Sequence, residues 1–339
     1  MEALFYTKLE NGNVQCELCP QNCILDNRKS GICKVRYNDS GILQTKNYGK
    51  ISSIAFDPIE KKPLYHFYPG TEILSIGSFG CNLKCQFCQN WEISQTNDEN
   101  FEFEGIDYSP EQVVELALSR KGNIGIAYTY NEPTVFYEFM LNTAKLAKQS
   151  GLKNVMISNG YINQKPLENL IPYIDAFNID LKSFSNDFFR DYTKSKLEPV
   201  KQSLKTIKLF NKHLEITNLV IPTLNDDSTE FEEMIKWIQQ NIGDDVIFHI
   251  SRYFPKYKLN VKATSIDRMI LLKEIASKYL KYVYLGNILL EEGSNTYCPE
   301  CKELLIKRSG YSSKLISINS QGDCMKCGTT ILKHVNYEN

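Results

Sequence analysis

The chain has 339 residues, of which 42% are hydrophobic and 23% are charged, as in a globular enzyme with one large domain and small appendages. Its formal net charge of -1 excludes the overall basic field that is typical of a nucleic-acid binder. No apolar run is long enough to span a bilayer, and the N-terminus lacks the features of a signal peptide, so we expect a cytoplasmic protein without membrane attachment.

Eleven cysteines fall into three groups along the chain, and none is left over. Thiols stay reduced in the cytoplasm, so such groups indicate metal ligands or catalytic thiols rather than disulfides. The chain divides into three predicted parts: a cysteine-rich segment at residues 1–50, a βα domain at 51–290 and a second cysteine-rich segment at 291–339.

The first predicted part contains four cysteines with the spacing Cys-x2-Cys-x3-Cys-x9-Cys, namely Cys16, Cys19, Cys23 and Cys33. This segment has little core of its own, and a bound metal would supply the missing stability. Both zinc and an auxiliary [4Fe–4S] cluster fit these ligands. Pro20, which follows the second cysteine, is typical of ferredoxin-type runs and favours iron.

The second part predicts alternating strands and helices. Ser109, Pro110 and Gln112 form the cap and first turn of a helix at 109–121, and Gly151 can end the helix after the second strand. The predicted strands lie at 72–79, 123–130, 153–158, 176–182, 213–222, 246–253 and 282–288. Several are apolar on both faces, as in parallel strands covered by helices. We therefore predict an α/β fold with a full or partial (β/α) barrel, since no Gly-x-Gly-x-x-Gly motif supports a dinucleotide-binding sheet.

Three cysteines, Cys81, Cys85 and Cys88, follow the first predicted strand in a loop opened by Gly80. Cysteine ligands usually come in fours, for zinc or for a cubane iron–sulfur cluster. A loop of this length can hold three irons of a [4Fe–4S] cluster and leave the fourth open to a substrate or cofactor. A zinc site with its fourth ligand elsewhere is the alternative. The active site of a barrel lies at the C-terminal ends of its strands, which is where this loop falls.

The loop resembles the Cys-x3-Cys-x-aromatic-Cys signature of radical S-adenosylmethionine (SAM) enzymes. The resemblance implies a [4Fe–4S] cluster whose open iron binds SAM, with Phe87 available to pack on the adenine ring. It implies reductive cleavage of SAM to methionine and a 5'-deoxyadenosyl radical, which abstracts hydrogen from a substrate. An oxidoreductase-type enzyme with a flavodoxin- or ferredoxin-type electron donor is expected. The substrate, whether small molecule, protein or RNA, is not identified by the sequence.

The same resemblance implies further SAM contacts at the ends of the next strands. Glu132 in "TYNEP" stands where the superfamily's Gly-Gly-Glu motif holds the SAM amino group, although the glycine pair is absent. Asn159 is the candidate for the ribose. Asp180 and Lys182 are similar to an Asp-x-Lys that reaches SAM in the pyruvate formate-lyase activase group. The structural alternatives are a helix cap for Glu132, a turn for Asn159 and a solvated surface residue for Lys182.

Polar residues also follow the sixth predicted strand, among them His249, Arg252 and Lys256. In a barrel they face the site and can hold an anionic or peptide substrate, or they form a hydrogen-bonded rim. His66, between two aromatic residues, is expected to be structural.

The last part contains two cysteine pairs, Cys298 with Cys301 and Cys324 with Cys327, separated by 22 residues. They resemble a zinc ribbon, so we expect zinc at this site. The basic excess is mild and aromatic residues are sparse, which favours a structural role over nucleic-acid binding.

Four stretches of the sequence narrow the resemblance from the superfamily to one group within it. They lie at 57–70, 80–95, 128–134 and 291–301. Together they resemble the AmmeMemoRadiSam-system radical SAM enzymes, relatives of pyruvate formate-lyase activating enzyme that are named for their genomic association with Memo-like and AMMECR-like proteins. The resemblance makes those proteins candidate partners and glycyl-radical activation the alternative function. Activases with auxiliary clusters typically carry extra cysteines after the radical SAM loop, and none lies here between residues 88 and 298. A non-catalytic electron-transfer or docking module is the second alternative.

Overall fold

The N-terminal segment folds into small antiparallel sheets. The structure is a computed structural model that describes residues 1–95, 105–288, 290 and 293–335. The first strands are β1 (Tyr6–Lys8), β2 (Val14–Cys16), β3 (Ile24–Leu25), β4 (Arg36–Asp39), β5 (Ile42–Thr45), β6 (Lys50–Ile51) and β7 (Ser53–Pro58). The first three form one sheet, and β4 and β5 form a hairpin. The predicted boundary between residues 50 and 51 stays a prediction, and β6 runs across it.

The rest of the chain alternates strands and helices before it ends in a short antiparallel sheet. In chain order these elements are β8 (Glu72–Gly77), α1 (Trp91–Ser94), β9 (Ile106–Asp107), α2 (Pro110–Ser119), β10 (Asn123–Tyr128), α3 (Tyr137–Gln149), β11 (Lys153–Ser158), α4 (Gln164–Leu170), β12 (Ala176–Asp180), α5 (Asn186–Phe188), α6 (Leu197–Leu209), β13 (His213–Val220), α7 (Ser228–Asn241), β14 (Ile247–Arg252), α8 (Ile266–Ala276), β15 (Tyr282–Gly286), β16 (Thr296–Tyr297), β17 (Leu304–Ser309) and β18 (Ser312–Leu315). Single helical turns lie at Glu10–Gly12, Ile59–Lys61, Pro133–Phe136, Ile171–Tyr173 and Phe189–Thr193.

The main sheet has eight strands in the order β15-β14-β13-β12-β11-β10-β8-β7. Seven of them are parallel, and β7 pairs with β8 in the antiparallel sense. The α/β prediction is therefore confirmed. Within the described ranges β15 and β7 are the sheet's two edges, so the fold is the partial-barrel form of the prediction.

Local sequence signals account for the helix boundaries of the βα repeats. The Ser109 side chain accepts a hydrogen bond from the Gln112 backbone N–H, and the Gln112 side chain accepts one from Ser109 N–H, which forms the expected capping box. Gly151 follows α3 with a φ of +79°, and its N–H donates to the Lys148 carbonyl, as a glycine at a helix end does.

The two faces of the main sheet are covered by different parts of the chain. Helices pack on one face. The other buries residues that precede the first parallel strand: Leu64 and Phe67 share a buried apolar cluster with Ala127 and Val155. Asn178 donates from Nδ2 to the Pro63 carbonyl at 2.7 Å. The segment between β7 and β8 therefore fills the interior of the partial barrel.

A buried carboxylate anchors this segment. Glu215 on β13 accepts hydrogen bonds from the backbone N–H groups of Tyr65 at 2.9 Å and His66 at 2.8 Å. Its other partners are Nε2 of His213 at 2.9 Å and Nε2 of His249 at 2.6 Å. Burial alone would raise the pKa of Glu215, but the two histidines hold it well below the usual range. Glu215 is thus an ionised, fully bonded group in the interior.

The C-terminal sheet docks on the same region of the barrel. Arg308 on β17 donates to the Tyr65 carbonyl at 2.7 Å and to the Thr296 hydroxyl at 2.7 Å. Its guanidinium lies 4.3 Å from the centre of the Tyr65 ring. His66 hydrogen-bonds Tyr284 at 2.6 Å, and burial lowers the pKa of His66 to about 3, so its role is structural as expected. Of the helices described, none has the length and apolar character needed to cross a membrane.

Candidate functional site

The loop with three cysteines leaves the C-terminal end of β8 and is held by its own backbone. Gly80 N–H donates to the Ile93 carbonyl at 2.7 Å, which closes the loop onto α1. Lys84 N–H donates to the Thr193 carbonyl at 2.8 Å, and Gln86 N–H to the Tyr192 carbonyl at 3.0 Å. The loop is therefore fixed against the helical turn after β12.

Asn131 secures the start of the loop from the neighbouring strand. Its Oδ1 accepts from Ser78 N–H at 2.9 Å, and its Nδ2 donates to the Gly80 carbonyl at 3.0 Å. The side chain is buried. The only signal of this role in the sequence is the position of Asn131 next to Glu132, shortly after a predicted strand.

The spacing of the sulfurs separates two kinds of metal site. Four thiolates at about 2.3 Å from one zinc ion lie about 3.8 Å apart. Of the described residues, only the C-terminal cysteines bring three or more ligand atoms within 4.8 Å of one another. The sulfurs of Cys81, Cys85 and Cys88 are therefore spread more widely. A cubane cluster fits such a spread because it attaches each thiolate to a different iron.

Charge at the loop is set by burial and by one cation. Burial raises the pKa of Cys85 to about 12, and the Lys182 ammonium opposes that shift. Lys182 Nζ lies 2.7 Å from Asp180 Oδ2, just beyond the end of β12. Burial would lower the pKa of Lys182, but Asp180 and Cys85 raise it above its ordinary value. Lys182 is thus a largely buried cation whose charge acts on the Cys85 thiol, and its side chain is only 13% exposed.

Glu132 lies just beyond the end of β10 and is almost fully buried. Its Oε1 accepts from Thr134 N–H at 3.0 Å and from the hydroxyls of Thr134 and Ser158 at 2.6 and 2.8 Å. Its Oε2 accepts from Asn159 N–H at 2.9 Å. Burial raises the pKa of Glu132, and these donors oppose the shift. The carboxylate therefore caps the following turn through Oε1, while Oε2 has capacity for another donor.

Tyr130 has the backbone conformation that a glycine would adopt most easily. Its φ is +69°, in the left-handed region. The Tyr130 hydroxyl donates to Asp57 at 2.7 Å, and Lys62 Nζ lies 5.1 Å from the centre of its ring. Contacts with β7 and with the segment that follows it thus hold this conformation without glycine.

Asn159 follows β11 and touches the cysteine loop. Its Nδ2 lies 2.9 Å from Asn82 Oδ1 and 3.8 Å from Cys81 Sγ. Its Oδ1 accepts from Tyr161 N–H at 2.8 Å, which makes the residue part of a turn as well. Asn159 is therefore brought to the cysteine loop, with its side chain already bonded.

The side chains of the remaining candidates make contacts with other parts of the chain. The Phe87 ring is buried, and its centre lies 5.8 Å from the centre of the Phe188 ring. Its contact with an adenine ring stays a prediction. His249 is bound to Glu215 inside the barrel. Arg252 donates from Nε to the Thr264 carbonyl at 2.7 Å. His249 and Arg252 thus fit the alternative in which these residues form a hydrogen-bonded rim.

The two sets of four cysteines differ in geometry. In the C-terminal set, Cys298 Sγ lies 3.5 Å from Cys327 Sγ, and Cys301 Sγ lies 3.6 Å from Cys324 Sγ. All four sulfurs are within 4.8 Å of one another, which suits a single zinc ion. The N-terminal set, Cys16, Cys19, Cys23 and Cys33, lines a small enclosed cavity together with Arg36 and Asn82.

Comparison with known proteins gives the family. A family model described as the radical SAM superfamily matches residues 75–238. An uncharacterized protein of Methanocaldococcus jannaschii is 42% identical over 333 residues, which are 97% of this chain and 98% of that protein. The pyruvate formate-lyase-activating enzyme of Clostridium pasteurianum is 23% identical over 220 residues, or 60% of this chain and 87% of the enzyme. The crystal structure of SuiB from Streptococcus suis is similar in fold, with a TM-score of 0.50 and 14% identity over 71% of this chain and 56% of that one.

Proposed function

Because this chain belongs to the radical SAM superfamily, we propose that it is an enzyme in which Cys81, Cys85 and Cys88 hold the family's [4Fe–4S] cluster. When bound, that cluster and SAM supply a 5'-deoxyadenosyl radical that abstracts hydrogen from the substrate. The observation that carries the proposal is the contact of the cysteine loop with Asn159, whose Nδ2 lies 3.8 Å from Cys81 Sγ. These residues follow the C-terminal ends of parallel strands, where a βα fold forms its active site.

The residues around the loop have the chemistry to hold SAM. Glu132 is an anionic acceptor with capacity left at Oε2, which suits the amino group of SAM. Asn159 lies beside Cys81 and suits the ribose. Asp180 and Lys182 form an ion pair that can reopen toward the polar groups of the cofactor, while Lys182 offsets the negative charge of the thiolates.

The proposal is tested by SAM cleavage in anaerobically reconstituted protein. With dithionite and SAM, the wild type should form 5'-deoxyadenosine and methionine, measured by liquid chromatography and mass spectrometry. Cys85→Ala should form none. Glu132→Gln should raise the KM for SAM because the amino group loses its anionic partner. The matched control is Glu115→Gln on the exposed side of α2, which should behave as the wild type. An intact cluster without 5'-deoxyadenosine above background would refute the proposal and favour the non-catalytic module.

Glycyl-radical activation is the finer alternative, and similarity to the Clostridium pasteurianum activating enzyme supports it. Against it, no cysteine lies between residues 88 and 298. An activase would generate a glycyl radical on a partner enzyme encoded nearby, visible by electron paramagnetic resonance (EPR). No such radical on any neighbouring candidate would exclude the activase. In either case a flavodoxin- or ferredoxin-type protein is the proposed electron donor.

We propose further that the chain is the radical SAM component of the AmmeMemoRadiSam system. The four matching stretches support this, although Glu291 and Glu292 of the last stretch lie outside the described residues. Genes for Memo-like and AMMECR-like proteins should then lie beside this one, and the purified products should associate with it. Consistent absence of both genes from the neighbourhood would contradict the assignment.

A further inference from the structure

The sulfurs of the N-terminal cysteines are spread more widely than a single zinc ion needs. Cys16, Cys19, Cys23 and Cys33 are free thiols that line one cavity of about 20 Å³. This part of the chain is fully described, and no three of these sulfurs are mutually within 4.8 Å. A single zinc ion would gather four sulfurs to about 3.8 Å, as the C-terminal set does.

The four cysteines lie on turns that are closed by backbone hydrogen bonds. Cys16 N–H donates to the Cys23 carbonyl at 2.9 Å, Asn22 N–H to the Cys19 carbonyl at 3.0 Å, and Lys34 N–H to the Gly31 carbonyl at 2.9 Å. These turns bring all four cysteines to the wall of one cavity.

A buried cation faces the same cavity. Arg36 is 1% exposed, and its Nη1 lies 3.9 Å from Cys16 Sγ. Its Nη2 is paired with Glu138, but its Nε–H has no hydrogen-bond partner in the described structure. A buried guanidinium at the wall of the cavity would offset the negative charge of an anionic sulfur centre there.

The cavity is next to the radical SAM loop. Gly80 packs on the Cys33 carbonyl so closely that a Cβ atom at Gly80 would lie 2.7 Å from it. Asn82, the residue after Cys81, lines the cavity and also accepts the hydrogen bond from Asn159. One layer of residues therefore separates the two cysteine sites.

We propose that Cys16, Cys19, Cys23 and Cys33 bind a second [4Fe–4S] cluster, a closed centre with four protein ligands beside the radical SAM cluster. A cubane needs thiolates that are more widely spaced than those of zinc, a cavity between them and compensating charge, and this set offers all three. Because the protein supplies every ligand, the centre has no open iron for SAM. The inference goes beyond the proposed function, and its test does not depend on SAM cleavage.

The test is a metal and acid-labile sulfide count on anaerobically reconstituted full-length protein. The wild type should hold about eight iron and eight sulfide per chain, with about one zinc. Replacing the radical SAM ligands in Cys81→Ala/Cys85→Ala/Cys88→Ala should leave about four iron and four sulfide. The reduced triple variant should give an EPR signal that SAM does not change. The reciprocal variant, Cys16→Ser/Cys19→Ser, should keep the iron of the other loop and a signal that responds to SAM.

The wild-type count decides the question even if a variant fails to fold. About four iron with about two zinc would overturn the proposal, because the N-terminal set would then be a zinc site. A folded triple variant that retains zinc but no iron would overturn it as well. Eight iron without SAM cleavage would support the second cluster while refuting the proposed function.

Discussion

Gly80→Ala tests the close contact between the two neighbouring cysteine sites. Gly80 has a φ of +85°, and an added Cβ would lie 2.2 Å from Val35 Cγ2 and 2.7 Å from the Cys33 carbonyl. Forcing alanine into the left-handed region costs about 1–2 kcal/mol. Overpacking against a side chain and a carbonyl adds about 1–3 kcal/mol. We therefore expect Gly80→Ala to lower the free energy of unfolding by about 2–5 kcal/mol.

Gly122→Ala is the matched control, since Gly122 has the same φ of +85° and nothing within 4 Å of its added Cβ. It should lose only the backbone contribution of about 1–2 kcal/mol. The assay is anaerobic urea unfolding of the reconstituted proteins, with iron content measured on the same samples. Gly80→Ala should also retain less iron, because relief of the clash moves the Cys33 turn or the radical SAM loop. Equal destabilisation of the two variants, with full iron in both, would refute the reasoning.

Two further predictions concern buried charges. Arg36→Met should lower the free energy of unfolding by about 3–5 kcal/mol, because it leaves Glu138 buried without its cation, and Arg36→Met/Glu138→Leu should recover part of the loss. The exposed Arg190→Met should leave the urea midpoint unchanged, and a similar effect of the two arginines would contradict the argument. Glu215→Gln should cost about 1–3 kcal/mol in the same assay, because it replaces an acceptor of four hydrogen bonds, whereas Glu115→Gln should cost nothing measurable. Since the pKa of Glu215 is lowered by folding, its stabilisation is present at neutral pH and should fade as the pH falls through the acidic range; a difference that stays constant down to acid would show that the charge is not what matters.

Much of the fold could be predicted because its signals are local. The strand ends differ from the predicted ones by at most two residues, and the cap of α2 follows from Ser109 and Gln112. The packing inside the barrel could not be predicted in this way. It depends on residues 59–68, which precede the first parallel strand. Glu215 reaches this segment across 150 residues of chain. No periodicity or spacing in the sequence carries information about such a contact.

In the candidate site, too, local signals could be predicted and contacts between distant residues could not. Spacing alone picks out the cysteine loop, and strand order brings Asn159 and Lys182 to it. Asn131 and Tyr130 were not foreseen as structural residues, because their roles depend on partners in two other elements. A positive φ at a tyrosine has no sequence signature and requires the contacts with Asp57 and Lys62 to hold it.

The two sets of four cysteines show why a ligand count cannot identify a metal. The N-terminal set contains one Cys-x2-Cys pair and the C-terminal set contains two, yet of these two sets only the C-terminal one draws its sulfurs within the distance of a single ion. That set is formed largely by its own short sheet. In the N-terminal set the last ligand, Cys33, follows a nine-residue gap and packs on Gly80 of the radical SAM loop. Its geometry therefore depends on the barrel as well as on its own turns, so the proposed second cluster should assemble only on a folded barrel.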